Sequence, residues 1–225
     1  MPPRFHDRRE AGRLLGAELA THKLPKNSVV LALPRGGVPV AFEVAQAIGA
    51  SLDVVVVRKL GVPWQPELAM GAVARGGGIP AVRILDEKLI RHEGISPAEV
   101  EAISAREAAE AERLEQLYRA DRPPLDLTKR TVILVDDGVA TGSTMLAAVQ
   151  FVKSLSPSTV IVAVPVVSRL ACAHIRKVAD DCVCLATPMP FRAVGEWYED
   201  FRQISDAEVR ELLSAKIMGK ATARV

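Results

Sequence analysis

Aromatic residues are scarce in this chain, at 4% of 225 residues, and the few it has are concentrated late, in FRAVGEWYEDF at 191–201. Histidines number four and cysteines three, too few and too scattered to build a zinc site by ligand spacing. An odd, closely placed trio, Cys172, Cys182 and Cys184, reads as reduced core thiols of a cytoplasmic protein. The formal charge is only +2 and no Lys/Arg block stands out, which argues against a nucleic-acid surface. The longest apolar run, Val160 to Val167, is too short for a bilayer, and MPPRFHDRRE is charged from residue 4, unlike a signal peptide. No membrane or nucleic-acid partner is therefore expected. Neither an internal repeat nor a low-complexity segment is present, and a hydrophobic share of 49% supports a sizeable core.

What the chain does have is alternation. Leu14, Leu15 and Leu19 lie at helical spacing behind Asp7, a candidate N-cap. SVVLAL at 28–33 reads as a buried strand, a helix follows from Val38 to Ile48 and stops at Gly49, and Leu52 to Val57 is a second apolar strand. From Arg58 to Gly78 two prolines and five glycines predict an exposed loop with at most one short strand, Leu68 to Ala74, and hence a candidate lid. A further strand is expected at 81–85.

Ser96, Pro97 and Glu99 form a capping box that announces a helix to Ala120. Its narrow stripe of Val100, Ile103, Ala111, Leu114 and Leu117 suits an external helix that covers a sheet edge or meets a second copy in a homodimer. Strand 131–135, helix 143–154, strand 159–167, helix 168–179 and strand 181–186 follow, then a last helix from the capping box at Ser205. That alternation predicts one α/β domain over residues 1–225, a doubly wound and mainly parallel sheet flanked by helices, with its core at about 28–186. A helical insertion would occupy about 86–124, and a small C-terminal hood about 187–217.

Thr131 to Thr144, TVILVDDGVATGST, carries the chemistry. An apolar strand delivers Asp136 and Asp137 to a glycine-containing loop of phosphate size at a helix start. Its strand and acids look like a Walker B segment, yet GxxxxGK[ST] occurs nowhere, so a nucleoside triphosphatase is disfavoured. GxGxxG is missing too, because RGGV at 35–38 and GGG at 76–78 have the wrong spacing. Adjacent acids do not suit a phosphatase nucleophile pair either.

ILVDDGVATGST at 133–144 resembles the signature of the type I phosphoribosyltransferases, which use 5-phosphoribosyl-1-pyrophosphate (PRPP). The resemblance implies that Asp136 and Asp137 hold the ribose hydroxyls, while Gly138, Ala140, Thr141, Gly142, Ser143 and Thr144 surround the 5′-phosphate. LPRGGVPVA at 33–41 is similar to the family's pyrophosphate loop, with Arg35, Gly36 and Gly37 facing phosphate oxygens and a non-proline cis peptide near Pro34 or Arg35. Arg58 and Lys59 resemble the residues that neutralise the departing pyrophosphate. RKLGVPWQPELAMGAVA at 58–74 and FRAVGEWYEDF at 191–201 resemble, more closely still, a bacterial subgroup of predicted phosphoribosyltransferases whose acceptor is unsettled.

The resemblance thus implies a Mg²⁺-dependent, cytoplasmic transferase of nucleotide metabolism, acting on PRPP and an unidentified nitrogenous acceptor. Magnesium would be bridged through PRPP, with Asp136 and Asp137 reaching it through water. Phe191, Trp197, Tyr198 and Phe201 could stack on that acceptor or equally form a hydrophobic plug. A PRPP sensor without catalysis is the alternative. Transfer to water, an amine or a thiol also stays open.

Overall fold

The computed structural model describes residues 4–120 and 122–215. Residue 121 of the expected insertion and residues 216 and 217 of the expected hood lie outside the described residues. Seven strands form one sheet in the order β4-β3-β2-β1-β5-β6-β7. They are β1 (Val29–Ala32), β2 (Ser51–Val62), β3 (Gln65–Gly76), β4 (Ile79–Leu85), β5 (Thr131–Val135), β6 (Thr159–Val166) and β7 (Asp181–Ala186). Strands β2, β1, β5, β6 and β7 run parallel, while β3 and β4 add on antiparallel beside β2.

The central parallel strands β1, β5 and β6 are almost wholly apolar because both faces are covered. Residues pointing one way, such as Val30, Val54, Ile133 and Ile161, pack under α2 (Gly37–Ile48), α4 (Pro97–Arg119) and α7 (Asp206–Ser214). Residues pointing the other way, such as Leu31, Val132, Leu134 and Val162, pack under α5 (Ser143–Ser154) and α6 (Arg169–Ile175). Burying each Leu, Ile or Val contributes about 1.5–3 kcal/mol. All three cysteines sit in this second layer as free thiols, and burial pushes Cys182 up to about 12 and Cys184 up to about 11. No helix among the described residues is long and apolar enough to cross a membrane.

Three of the helices begin at a side-chain cap that the sequence announces. Asp7 caps α1 (Arg8–Leu19) by accepting from the Glu10 N–H, and the capping boxes at Ser96 and Ser205 open α4 and α7. The expected helix 168–179 is shorter, ending at Ile175.

The stretch 58–78 departs from the expected loop. Strand β2 continues five residues past Val57, turns at Pro63 and Trp64, and returns as β3. The glycines there serve close backbone approach more than looseness: a Cβ at Gly71 would lie 2.3 Å from the Ile84 carbonyl oxygen on the neighbouring strand. Gly77 and Gly78, with φ of +67° and +74°, form the tight turn into β4. Leu60, Val62, Met70 and Val73 then bury against Ile90 of α3 (Glu87–Glu93) and Val100 of α4.

The stripe of α4 is occupied within the chain, which removes its reason for a homodimer. Ala111 is buried in the main core and Leu114 and Leu117 pack against it. Sequence patterning also missed the ions on this helix. Arg119 pairs with Asp53 on β2 at 2.9 Å, and Glu115 with Arg75 on β3 at 2.5 Å, all but Arg75 being buried. Removing one partner of such a buried pair costs about 3–5 kcal/mol, so the pairs fix how α4 is seated.

Candidate active site

Strand order reverses around β1 and β5. From β1 the chain crosses to β2 on one side, and from β5 it crosses to β6 on the other, so the loops leaving β1 and β5 diverge and open a crevice at the carboxyl edge. Ala32 pairs with Val135 in register, and the Leu33 N–H donates to the Val135 carbonyl oxygen at 2.9 Å. Loop 34–37 and loop 136–142 therefore start side by side. The Pro34–Arg35 peptide is cis.

The two loops touch. A Cβ at Gly36 would lie 2.0 Å from Oδ2 of Asp137, and one at Gly37 would lie 2.9 Å from the Cα of Asp136. Only bare backbone fits between the first loop and the acid pair. Asp136 Oδ1 accepts the Asp137 N–H at 2.8 Å. Burial, compounded by the neighbouring Asp137 charge, raises the Asp136 carboxyl well above the usual carboxylate range. Burial also raises Asp137, but Arg8 opposes the shift there.

Past the acids, Gly142 takes a φ of +91° and leads into α5 with no side-chain cap. The first amides of α5, at Ser143 and Thr144, therefore lack the partner that Asp or Ser supplies to α1, α4 and α7. Thr141 and Ser143 hydroxyls lie 3.4 Å apart over this helix start. Free N–H groups, a helix dipole and two hydroxyls together suit a phosphate dianion. The loop is braced from behind by Ser168, whose hydroxyl donates to the Ala140 carbonyl at 2.6 Å.

The cations are distributed differently from the sequence expectation. Arg58 and Lys59 stand within β2, paired opposite Val73 and Ala72, and as strand neighbours they leave on opposite faces. Arg58 turns towards α4 and pairs with Glu107 at 2.9 Å. Lys59 shares a cavity with Leu146, Ala147 and Gln150 of α5 and is loosely paired with Glu67 at 3.8 Å. Arg35 stands 3.7 Å from Asp206. A cleft of about 790 Å³ joins Arg58, Lys59, the hairpin residues Pro63 and Pro66, Glu107 and the Thr141–Thr144 turn.

The C-terminal aromatics are mostly spent on each other. Tyr198 is buried between Phe5 and Phe201, with ring centroids at 5.5 and 5.1 Å, and its hydroxyl donates to the Asp137 carbonyl at 2.5 Å. Burial and the Asp137 charge push its pKa above the ordinary tyrosine range, so it stays a donor. Its ring has no open face for an acceptor; Tyr198 braces the acid loop. Phe191 and Trp197 are half-buried and stacked at 6.4 Å, and Phe201 lies under the Arg8 guanidinium at 3.8 Å.

Arg8 is the site residue that sequence reasoning missed. It opens α1, is 7% exposed, and its Nε donates to Oδ2 of Asp137 at 2.7 Å. Arg8 and Arg9 in the first turn oppose the helix dipole, but that cost is only about 0.3–1 kcal/mol and points to no partner. Its partner is 129 positions away, beyond local pattern reading.

A phosphoribosyl transferase domain model matches residues 10–200, which leaves Phe5 and Arg8 ahead of the matched stretch. Two Mycobacterium tuberculosis proteins, from strains CDC 1551 / Oshkosh and H37Rv, each named "Putative phosphoribosyl transferase", are 46% identical over 205 residues, 91% of this chain. This chain spans 45% of their length. The crystal structure of TT1426 from Thermus thermophilus is 43% identical and superposes with a TM-score of 0.81, covering 93% of this chain and 97% of that one.

Proposed function

The chain belongs to the phosphoribosyl transferase domain family, and on that premise we propose that it transfers a 5-phosphoribosyl group from PRPP to a nitrogenous acceptor, releasing pyrophosphate. The observation that carries this reading is the meeting, at the β1/β5 switch point, of an acid pair, an uncapped helix start and a glycine loop against the acids. A nucleobase or related heterocycle is the proposed acceptor class, with Phe191 and Trp197 the hood aromatics left to face it.

In this reading Asp136 and Asp137 orient the ribose through its hydroxyls. Backbone amides and hydroxyls from Gly138 to Thr144 hold the 5′-phosphate. Arg35, Gly36 and Gly37 take the pyrophosphate, with Arg58 and Lys59 beside it. The exposed pairs that now occupy Arg35 and Lys59 are each worth about 0–1 kcal/mol, so exchanging them for phosphate oxygens costs little, whereas Arg58 is held more firmly by Glu107, whose side chain is largely buried. Bond breaking at C1 leaves an electron-poor ribosyl centre beside two carboxylates, and positioning plus charge management is the protein's task. Hairpin β2–β3 borders the cleft, where it would exclude water and suppress hydrolysis of the donor.

The donor set fits magnesium in one way only. Among the described residues no group of three or more His, Cys, Asp or Glu could hold a metal. Two adjacent carboxylates suit an ion that takes most of its oxygens from substrate and water, with Asp136 and Asp137 as the protein's contribution. When bound, the ion would neutralise the departing pyrophosphate.

Pyrophosphate release measured with PRPP, magnesium and a panel of purine and pyrimidine bases tests the proposal. Release that depends on one class of base supports it. Tight PRPP binding with no release for any acceptor would replace it with a PRPP-sensing regulator.

A further inference from the structure

Arg8 reaches Asp137 along a segment pinned to the C-terminal hood, where Phe5 is buried with Val166 and Tyr198. The Phe5 N–H donates to the Trp197 carbonyl, the Glu199 N–H to the Phe5 carbonyl and the Asp200 N–H to the His6 carbonyl, so residues 5 and 6 are strapped to the C-terminal segment. Asp7 then starts α1 and Arg8 points inward. Its guanidinium gives Nε to Asp137 Oδ2 at 2.7 Å and Nη1 to the Arg202 carbonyl at 2.9 Å, with one face on the Phe201 ring. Asp7, Asp200 and Glu208 border the small cavity beside Arg8, with Asp7 engaged by the Glu10 N–H and Glu208 by Arg202. The guanidinium bonds to Asp137, one of the two acids of the site. Desolvating an arginine side chain to 9% exposure is unfavourable unless the pairing compensates, and a planar guanidinium fixes the orientation of its partner in a way an ammonium does not.

We infer that Arg8 is a positioning residue of the donor site, clamping Oδ2 of Asp137 so that Oδ1 is presented to a ribose hydroxyl. Oδ2 is enclosed by Arg8 on one side and Gly36 on the other, so the carboxylate cannot rotate without losing one contact or striking the other. Among the described residues Asp136 has no such partner; its Oδ1 accepts from the Asp137 backbone amide. The two acids thus divide the work: Asp137 is held by the protein, and Asp136 is left to respond to the ligand. The strap from Phe5 to Arg8 and the segment from Trp197 to Arg202 act as one brace behind the acid loop. This inference rests on the donor-site reading.

Calorimetric titration with three probes tests it: PRPP with magnesium, ribose 5-phosphate, and pyrophosphate with magnesium. Arg8→Met should weaken PRPP and ribose 5-phosphate by about tenfold or more, the scale of one charge-assisted hydrogen bond, and change pyrophosphate by less than about twofold. Arg8→Lys should recover part of the ribose 5-phosphate affinity. Equal weakening of all three probes would make Arg8 a structural residue only, and unchanged ribose 5-phosphate binding would refute the clamp. If Arg8→Met does not fold, the same ribose-against-pyrophosphate split in Arg8→Lys decides. A wild-type protein that binds none of the probes would overturn the donor-site reading itself, and the inference with it.

Discussion

Gly36 and Asp137 are in contact: a Cβ on the glycine would fall 2.0 Å from the carboxylate Oδ2. The backbone at Gly36 is ordinary right-handed helical, φ −60° and ψ −34°, so alanine meets no conformational obstacle there. The obstacle is the carboxylate, which Arg8 holds from behind. Gly36→Ala should therefore lower stability by about 1–3 kcal/mol and weaken PRPP binding at least about tenfold. Chemical denaturation and calorimetry check the two halves, and wild-type values in both would contradict the account of how the loops meet.

Tyr198→Phe should behave as a loss of bracing. The substitution keeps the ring between Phe5 and Phe201 and removes the donor to the Asp137 carbonyl, at a cost of about 1–3 kcal/mol. The ranking of acceptors in a turnover assay should not change. A shift in the urea midpoint with unaltered ranking is the expected result; an altered ranking would return Tyr198 to the acceptor site.

Acid should loosen the last helix before the sheet. Hydrogen bonds from Arg202, and then from the Ser205 N–H, hold Glu208 down at about 2. Its unfolded value is about 4.3, so the stabilisation is complete above that pH and is lost as pH falls towards 2. The Glu208 side chain is 32% exposed, and solvent screening limits the effect to less than about 1 kcal/mol, enough to fray a helix end. Hydrogen exchange over Asp206–Ser214 should accelerate through that window, and in Glu208→Gln already at neutral pH. Protection that stays flat across the window would contradict the assignment.

Local chemistry was readable wherever the signal was local. Ser96 with Glu99 and Ser205 with Glu208 announced two helix starts to the residue, and ILVDDGVATGST marked the strand, acids and helix of the crevice. Composition misled at 58–78, because glycine signals both a loose turn and a tight strand contact, and Gly71 is the second kind. Placing Arg58 and Lys59 at a strand end followed from the same misreading and hid their separation to opposite faces. Long-range partners left no local trace. Arg8 with Asp137, Arg119 with Asp53, and Tyr198 with the Asp137 carbonyl each join residues far apart in the chain, and only the fold brings them together.

The central claim is that Asp136, Asp137 and the loop to Thr144 form a PRPP donor site. Its most direct test is calorimetric titration of PRPP with and without magnesium, on the wild-type chain and on Asp136→Asn with Asp137→Asn, with circular dichroism as the check on folding. The wild type should bind PRPP in a magnesium-dependent way, and the folded double variant should have lost that binding. Equal PRPP affinity in the two proteins would contradict it.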